Sequence, residues 1–223
     1  MRRSLWMAII STALLASACG DGSGGPGPAE DYFPLAAGNF WEFDLSGSGT
    51  FDTLDITASG SLSVNVGAQD TLDNGLIAFE VNSESIIIFE IGEGLYSDTT
   101  VELDTFYWLE NGDQISQYEA MDDTTGRLIH SPPIEVGRIW YPGPDEPNGS
   151  YEVESVSESA VVPAGTFEDC AMIFHDNPDS SSSSHDYMAP GVGPVLILSH
   201  LADSSGAVFM EADLEYELIS TSQ

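Results

Sequence analysis

Apart from its carboxylates, this chain has few side chains suited to nucleophilic, acid-base or metal chemistry. It contains two cysteines and four widely scattered histidines against 37 aspartates and glutamates. His175 and His185 could meet across a hairpin and hold a metal with Asp176 or Asp186, although histidines beside acids on a surface are commoner. Ser48 lies between glycines but lacks a G-x-S-x-G elbow, and no carboxylate pair stands out as an acid-base couple. We therefore predict no catalytic residue, no metal site and no cofactor.

The amino-terminal residues carry an export pattern that ends in a cysteine. Arg2 and Arg3 precede an apolar run from Leu5 to Leu15, which is too short to cross a bilayer as a stable helix. Small residues then lead directly to Cys19. This order resembles the bacterial lipobox, with Ala16 where leucine is more usual. The resemblance implies that Cys19 carries a thioether-linked diacylglycerol, and that residues 1–18 are removed as a signal peptide.

The charge of the chain limits its partners. Its formal net charge is −33, it has no lysine, and after the signal only Arg127 and Arg138 oppose the acidic residues. Such a surface repels nucleic acid and anionic head groups, so we expect no nucleic-acid partner, and we expect acyl chains to provide the hold on a membrane. A solvated acidic coat explains the composition better than calcium binding, because the sequence has no D-x-[DN]-x-[DN]-G loop.

Two further features concern the organisation of the chain. Residues 20–30, GDGSGGPGPAE, have the composition of a linker that could hold a domain up to ~30 Å from a bilayer. With Cys19 acylated, Cys170 has no partner for an internal disulfide, and we expect it to be a small buried apolar residue. The sequence thus divides into a signal peptide at 1–18, a lipidated cysteine and linker at 19–31, and a folded domain at 32–223.

The sequence of the folded domain predicts an all-β protein. Apolar and polar residues alternate at 41–45, 62–66 and 212–218, as in strands with one face in a core. Residues 76–81, 86–91 and 105–109 are more continuously apolar and suit central strands. Asn-Gly dipeptides at 74–75, 111–112 and 148–149 mark tight turns. We predict an antiparallel curved sheet, sandwich or half-barrel of about 10–13 short strands.

Two pairs of segments suggest an internal duplication. Residues 34–41 and 133–140 share the pattern P-Φ-x-Φ-G-x-Φ-W, where Φ is apolar, and residues 71–74 resemble residues 166–169. Each unit would be a turn that docks a tryptophan, followed by a β-meander. The pattern predicts related repeat units at 32–130 and 131–220.

Two blocks in the second half are distinctive. They are VPAGTFEDC at 162–170 and YMAPGVGPV at 187–195. With an early Gly–Trp segment, they resemble secreted bacterial lipoproteins of unknown function, matching about 137–195 in the second half but only 32–35 and 38–41 in the first. Some relatives are similar to the half-barrels of periplasmic lipoprotein carriers. Taken alone, the blocks are turns in which Pro163 and Gly165 set the backbone, and the bend at Gly191 passes close to a strand or a ligand.

These observations favour a non-enzymatic, lipid-anchored domain tethered to the outer membrane, with a structural role or an interaction with another envelope protein. The alternative is a carrier that binds an apolar ligand, such as a lipid or acyl chain, in an open half-barrel. A continuous apolar cavity would favour the carrier, and a filled core would favour the structural or interaction role. A hydrolase would need a cluster around a histidine, and the sequence predicts none.

Overall fold

The structure, a computed structural model, describes residues 32–92, 94–144, 146–178, 180–203 and 210–222. These residues form twelve strands in one antiparallel sheet. The strands are β1 (Phe40–Phe51), β2 (Leu54–Thr71), β3 (Ile77–Ile91), β4 (Tyr96–Asn111), β5 (Gln114–Tyr118), β6 (Arg127–His130), β7 (Ile139–Trp140), β8 (Ser150–Val162), β9 (Gly165–Asn177), β10 (Ser182–Ala189), β11 (Gly193–Asp203) and β12 (Met210–Thr221).

The sheet is a meander that is nearly closed into a barrel. Each strand pairs with the next one in sequence except β6 and β7, and β1 pairs with β12, so that β6 and β7 become the two edges. The edges approach each other where the Leu128 N–H donates to the Pro142 carbonyl at 2.7 Å. The predicted all-β antiparallel fold is confirmed, and its twelve strands fall within the predicted number.

The turns between strands lie at the two ends of the barrel, which we call the near end and the far end. The near end has the turns at residues 72–76, 112–113, 163–164 and 190–192, and the chain enters the sheet there at β1. The far end has the turns at residues 52–53, 92–95 and 178–181. The predicted turns at Asn74 and Asn111 are present, and the glycine after each has a positive φ, at 86° for Gly75 and 62° for Gly112.

Side chains fill the interior of the barrel. On β1, Trp41, Phe43 and Leu45 point inward and are at most 2% exposed, while the residues between them face water. Period-two alternation places every second side chain on the same face. The same alternation on the other long strands joins their inner faces into one contiguous core cluster that includes Trp108, Ile173 and many others.

The aromatic run near the end of β4 is buried on both faces, as its sequence predicts. Phe106 and Trp108 belong to the main core, whereas Tyr107 and Leu109 belong to a smaller cluster on the outer face. Leu72, Ala78 and Tyr118 complete that outer cluster.

The segment that precedes β1 closes the near end. The ring of Phe33 meets the ring of Trp108 edge-on at 5.4 Å, and the Tyr32 hydroxyl donates to the Asp169 carbonyl at 3.2 Å. The indole N–H of Trp41 donates to the Val192 carbonyl at 3.0 Å, which ties β1 to the turn between β10 and β11.

The two P-Φ-x-Φ-G-x-Φ-W segments make the same backbone contacts. Gly38 donates to the Val66 carbonyl, and Val66 donates back to Asn39; Gly137 donates to the Val153 carbonyl, and Val153 donates back to Arg138. Each segment enters a strand whose tryptophan is buried. The second pair of segments differs, because residues 71–74 cover the end of β2 and part of the turn after it, whereas residues 166–169 lie within β9. The repeat units themselves stay a prediction, and the signal peptide and linker lie outside the described residues.

Gly60 tests how tightly the sheet packs. It lies between Leu45 on β1 and Ile87 on β3, and a Cβ built there would collide with the carbonyl oxygen of Ile86. Gly60→Ala should therefore lower the free energy of unfolding by about 3 kcal/mol in chemical denaturation. Ser61→Ala, at an exposed neighbouring position, should change it by no more than about 0.5 kcal/mol. Equal stabilities for the two variants would contradict this packing.

Candidate functional site

The two edges of the sheet meet at a seam lined by buried rings. Trp140, Tyr151 and His175 occupy facing positions on β7, β8 and β9. The rings of Trp140 and Tyr151 stack at 5.1 Å with an interplanar angle of 9°, and those of Tyr151 and His175 stack at 4.1 Å and 8°. We call these three residues the ring ladder. Cross-strand pairs of this kind stabilise a sheet by roughly 0.2–1 kcal/mol each.

Glu146 links the ring ladder to the opposite edge strand. It lies in the segment between β7 and β8, its Oε1 is 2.9 Å from His175 Nε2, and its Oε2 is 3.5 Å from Nη1 of Arg127 on β6. Gly149 leaves room for this carboxylate, since a Cβ there would lie 2.6 Å from Oε1. A buried charge is tolerated when it is paired and hydrogen-bonded. Glu146 therefore bridges the two edges of the barrel.

A second buried carboxyl lies further along the same interior wall. Asp186 on β10 is 1% exposed and pairs with Ile173 and Ile197. Within the described residues its Oδ1 has no hydrogen-bond partner. Burial raises the pKa of Asp186 to about 6, against smaller lowering effects of His175, Ser184 and His185. The carboxyl is thus ionised at neutral pH at a cost to the fold.

His175, Ser184 and Asp186 have the residue types of a nucleophile, a base and an orienting acid, but they lack the geometry. Within the part of the chain that the structure describes, His175 Nδ1 has no partner, so it is not bonded to the Ser184 hydroxyl as a base would be to its nucleophile. All three are at most 2% exposed. This arrangement suits a structural role in the barrel wall.

A small cavity adjoins the near end. It has a volume of about 300 Å³ and is lined by Phe33, Glu110, Gly112, Asp113, Ile115 and His130. The rings of Phe33 and His130 lie 5.3 Å apart, and burial lowers the pKa of His130 to about 4. His130 is therefore neutral at physiological pH and packs as part of the core.

A larger groove of about 610 Å³ lies on the outer face of β10 to β12 and β1. It is lined by Ser46, Gly47, Ser48, Ala58, His185, Leu198, Ser199, His200, Asp213, Leu214 and Glu215. His200 Nδ1 lies 2.8 Å from Asp213 Oδ1, and His185 Nε2 lies 3.2 Å from Glu154 Oε2. Pairs this exposed to water are worth about 0–1 kcal/mol each.

The metal site considered at His175 and His185 is wrong. The hairpin does pair β9 with β10, but the partners in register are His175 with Ser184 and His185 with Phe174. Since side chains alternate faces, His175 points into the core and His185 points out. Across the described ranges, no group of three His, Cys, Asp or Glu side chains could hold a metal ion.

The described residues include one of the two cysteines. Cys19 lies outside the described residues. Cys170 is a buried free thiol, and burial raises its pKa to about 11, with a further increase from Glu168, Asp169 and Glu158. The predicted inert, buried Cys170 is confirmed. Among the described residues, no helix has the length and apolar character needed to cross a membrane.

The two distinctive sequence blocks form turns at the near end. Gly165, with φ 147°, begins β9 after the first turn, and Phe167 packs against the core while partly exposed. In the second block, Gly191 has φ 70°, and the next residue is Val192, whose carbonyl accepts the Trp41 N–H. The close approach predicted at this bend is thus made to the end of a strand.

Sequence reasoning missed Glu146, and it considered Asp186 only as a ligand on a hairpin, not as a buried carboxyl. The small number of arginines was the one available clue to Glu146. Only Arg127 and Arg138 follow the signal peptide, so a buried acid that pairs with an arginine has to lie near one of these two. Glu146 lies in a Pro- and Gly-containing loop that reads only as a turn. Asp186 follows five serines and a histidine, and nothing in that run indicates that it points into the core.

Comparisons with known proteins give one structural likeness. No family model matches the chain, and no curated protein matches it. A crystal structure of a protein described as a "putative lipoprotein", from Parabacteroides distasonis ATCC 8503, is similar over 86% of this chain and 98% of that chain, with 15% sequence identity and a TM-score of 0.37. A TM-score this low does not establish a common fold, and the resemblance to secreted lipoproteins stays a prediction from the two sequence blocks.

The pKa of Asp186 predicts a specific pH dependence. A carboxyl whose folded-state pKa is raised contributes stability that is present below about pH 4 and lost as pH rises through about 6. The wild-type barrel should lose about 3 kcal/mol of this contribution over that interval. The free energy of unfolding of Asp186→Asn, minus that of the wild type, should therefore rise by about 3 kcal/mol between pH 4 and pH 7 in denaturant titrations.

Asp44→Asn provides the matched control, because Asp44 is exposed on the outer face of β1. The difference between this variant and the wild type should stay nearly constant over the same pH interval. If Asp186→Asn behaves in the same way as Asp44→Asn, then Asp186 is not buried as described.

Proposed function

We propose that this chain is an exported lipoprotein held at the outer membrane by acyl chains on Cys19, and that its β-domain has a non-enzymatic structural or interaction role. The observation that carries the proposal is the order of residues at the amino terminus, in which two arginines, a short apolar run and small residues lead to Cys19. Two or three acyl chains bind a bilayer firmly, whereas one binds only marginally.

The filled interior supports an interaction role over the carrier alternative. Trp41, Trp108 and Tyr151 are among the largest fully buried side chains, and they occupy the space that an acyl chain would need. An apolar ligand would have to displace this packing, and each large side chain expelled from a core costs roughly 1.5–3 kcal/mol of burial. A carrier normally has its cavity largely formed in advance.

The place where the chain enters the barrel supports an orientation at the membrane. Tyr32 is hydrogen-bonded at the near end, and only the linker separates it from Cys19. We expect the near end to face the bilayer at a distance of up to ~30 Å. The far end would then be presented away from the membrane.

Two further features support the proposal. The net charge bears on nucleic-acid binding, and the buried residues at the seam bear on catalysis. A net charge of −33 disfavours nucleic acid as a partner. The histidine and the carboxyls of the seam are engaged in the wall of the barrel, and a general base needs its substrate within hydrogen-bond reach. A non-enzymatic role is therefore the function that the geometry supports best.

Metabolic labelling with a palmitate analogue tests the anchor. The wild-type chain should be labelled and recovered in the membrane fraction, whereas Cys19→Ser should be unlabelled and released, because its only predicted acylation site is gone. Cys170→Ala should remain labelled, since that thiol is buried and its pKa is raised. An unlabelled wild-type chain with a free amino terminus in the medium would refute the proposal.

Native mass spectrometry separates the two functions. We expect both the acylated protein and Cys19→Ser to be free of a co-purifying apolar ligand, since side chains fill the barrel. A stoichiometric lipid on Cys19→Ser would favour the carrier function instead.

A further inference from the structure

The barrel leaves two stretches of strand edge unpaired among the described residues. On β8, the stretch beyond its pairing with β7 is irregular, because its register to β9 shifts at three places between Val153 and Ala160. On β4, the pairing with β3 runs without a shift from Trp108 to Tyr96. Bulges protect a strand edge from further pairing, whereas a long regular edge is a template for it.

The unpaired stretch of β4 is long enough to accept another strand. Strand β5 pairs only with residues from Tyr107 to Asn111 of β4. Among the described residues, the rest of the strand has a neighbour on one side alone, and we call Tyr96–Asp104 the β4 edge. In an antiparallel pair, alternate residues direct their backbone N–H and C=O groups away from the partner strand. The β4 edge therefore offers a row of backbone donors and acceptors.

The outer face of the β4 edge carries two exposed apolar side chains, next to one on β3. Val101 and Leu103 are 56% and 72% exposed, and Ile88 on the neighbouring strand is 37% exposed. Leu95, in the turn before β4, is 80% exposed at the far end. A contiguous exposed apolar patch on a sheet is typical of an interaction site.

The other face of the β4 edge is acidic. Asp98, Glu102 and Asp104 pair with residues whose side chains point inward, so they lie on the inner face of the strand. Burial and the nearby Asp104 both raise the pKa of Glu102. The salt bridges of the described residues involve none of these three carboxylates.

The chain has little positive charge with which to pair the three carboxylates of the β4 edge. It has no lysine. Arg127 is engaged with Glu146 at the seam, and Arg138 donates to Ser131. The cations that complement this face must therefore come from another molecule.

We propose that the β4 edge binds an extended segment of another protein in which basic residues alternate with apolar ones. The segment would add a strand to the sheet, with its basic residues over the acidic face and its apolar residues against Val101 and Leu103. This proposal rests on the interaction role given above and names its partner. Because the β4 edge reaches the far end, the bound segment would lie away from the membrane.

A second copy of this chain does not fit the β4 edge. If two copies of β4 paired in antiparallel fashion with their faces aligned, Asp98, Glu102 and Asp104 of one copy would lie among the same carboxylates of the other. Like charges across a strand pair destabilise it. Charge thus selects a basic partner over self-association.

Titration of the full chain in mild detergent with two nine-residue peptides tests the proposal. One peptide alternates lysine with valine, and the other replaces each lysine by glutamate. The lysine peptide should bind, and added salt should weaken it. Binding should protect the backbone amides of the β4 edge from hydrogen exchange, and the glutamate peptide should give no binding.

Charge reversal locates the site. Glu102→Lys should raise the Kd of the lysine peptide at least about tenfold, which corresponds to 1.4 kcal/mol. Asp44→Lys is the matched control, because it makes the same charge change on the outer face of β1, a strand paired on both sides. It should leave the Kd within about twofold.

Four outcomes would overturn the proposal. They are the absence of binding, equal binding of the two peptides, equal weakening by Glu102→Lys and Asp44→Lys, and a wild-type dimer that dissociates on Glu102→Lys. Acylation is measured separately by the palmitate label. A labelled chain that fails to bind would refute the β4 edge alone, and an unlabelled chain that binds would refute the anchor alone.

Discussion

The contacts of Glu146 are the interaction on which the closed form of the barrel depends. Eleven strand pairings hold the sheet together, but none joins β6 to β7. Glu146 spans that gap by contacting His175 on one side and Arg127 on the other. Arg127, one of the two arginines after the signal peptide, thus lies at the seam. The ring ladder packs beside this paired carboxylate. Aromatic side chains therefore fill the interior as far as the edge strand β7.

Much of the fold follows from local sequence, and the seam does not. Period-two alternation and the Asn-Gly turns predict antiparallel strands because a strand face and a tight turn each depend on a few adjacent residues. The contact between Arg127 and Glu146 joins residues 19 positions apart, and that between Glu146 and His175 joins residues 29 apart. Neither pair has a local pattern. The same limit applies to His175 and His185, because adjacency in a hairpin does not say which face each side chain takes.

The proposed interaction surface is compatible with the acidity of the domain. Its core is filled and its near end is closed by Tyr32 and Phe33, so the places left for binding are the outer surface and the unpaired strand edges of the described residues. Most outer positions are polar and belong to strands that are paired on both sides. The β4 edge differs, because among the described residues it combines a strand edge without a partner strand, exposed apolar side chains and carboxylates that form no salt bridge. An anchor at one end and a binding edge towards the other would suit a tethered domain.

Hydrogen-exchange mass spectrometry on Glu146→Ala tests most directly whether this carboxylate holds the barrel closed. Removing it leaves Arg127 and His175 without their shared partner, so the free energy of unfolding should fall by about 3 kcal/mol. The amides of β6 and β7 should lose protection first, while those of β1 and β12 keep it. The exposed Glu135→Ala is the control and should exchange as the wild type does. Unchanged protection of β6 and β7 in Glu146→Ala would contradict the account.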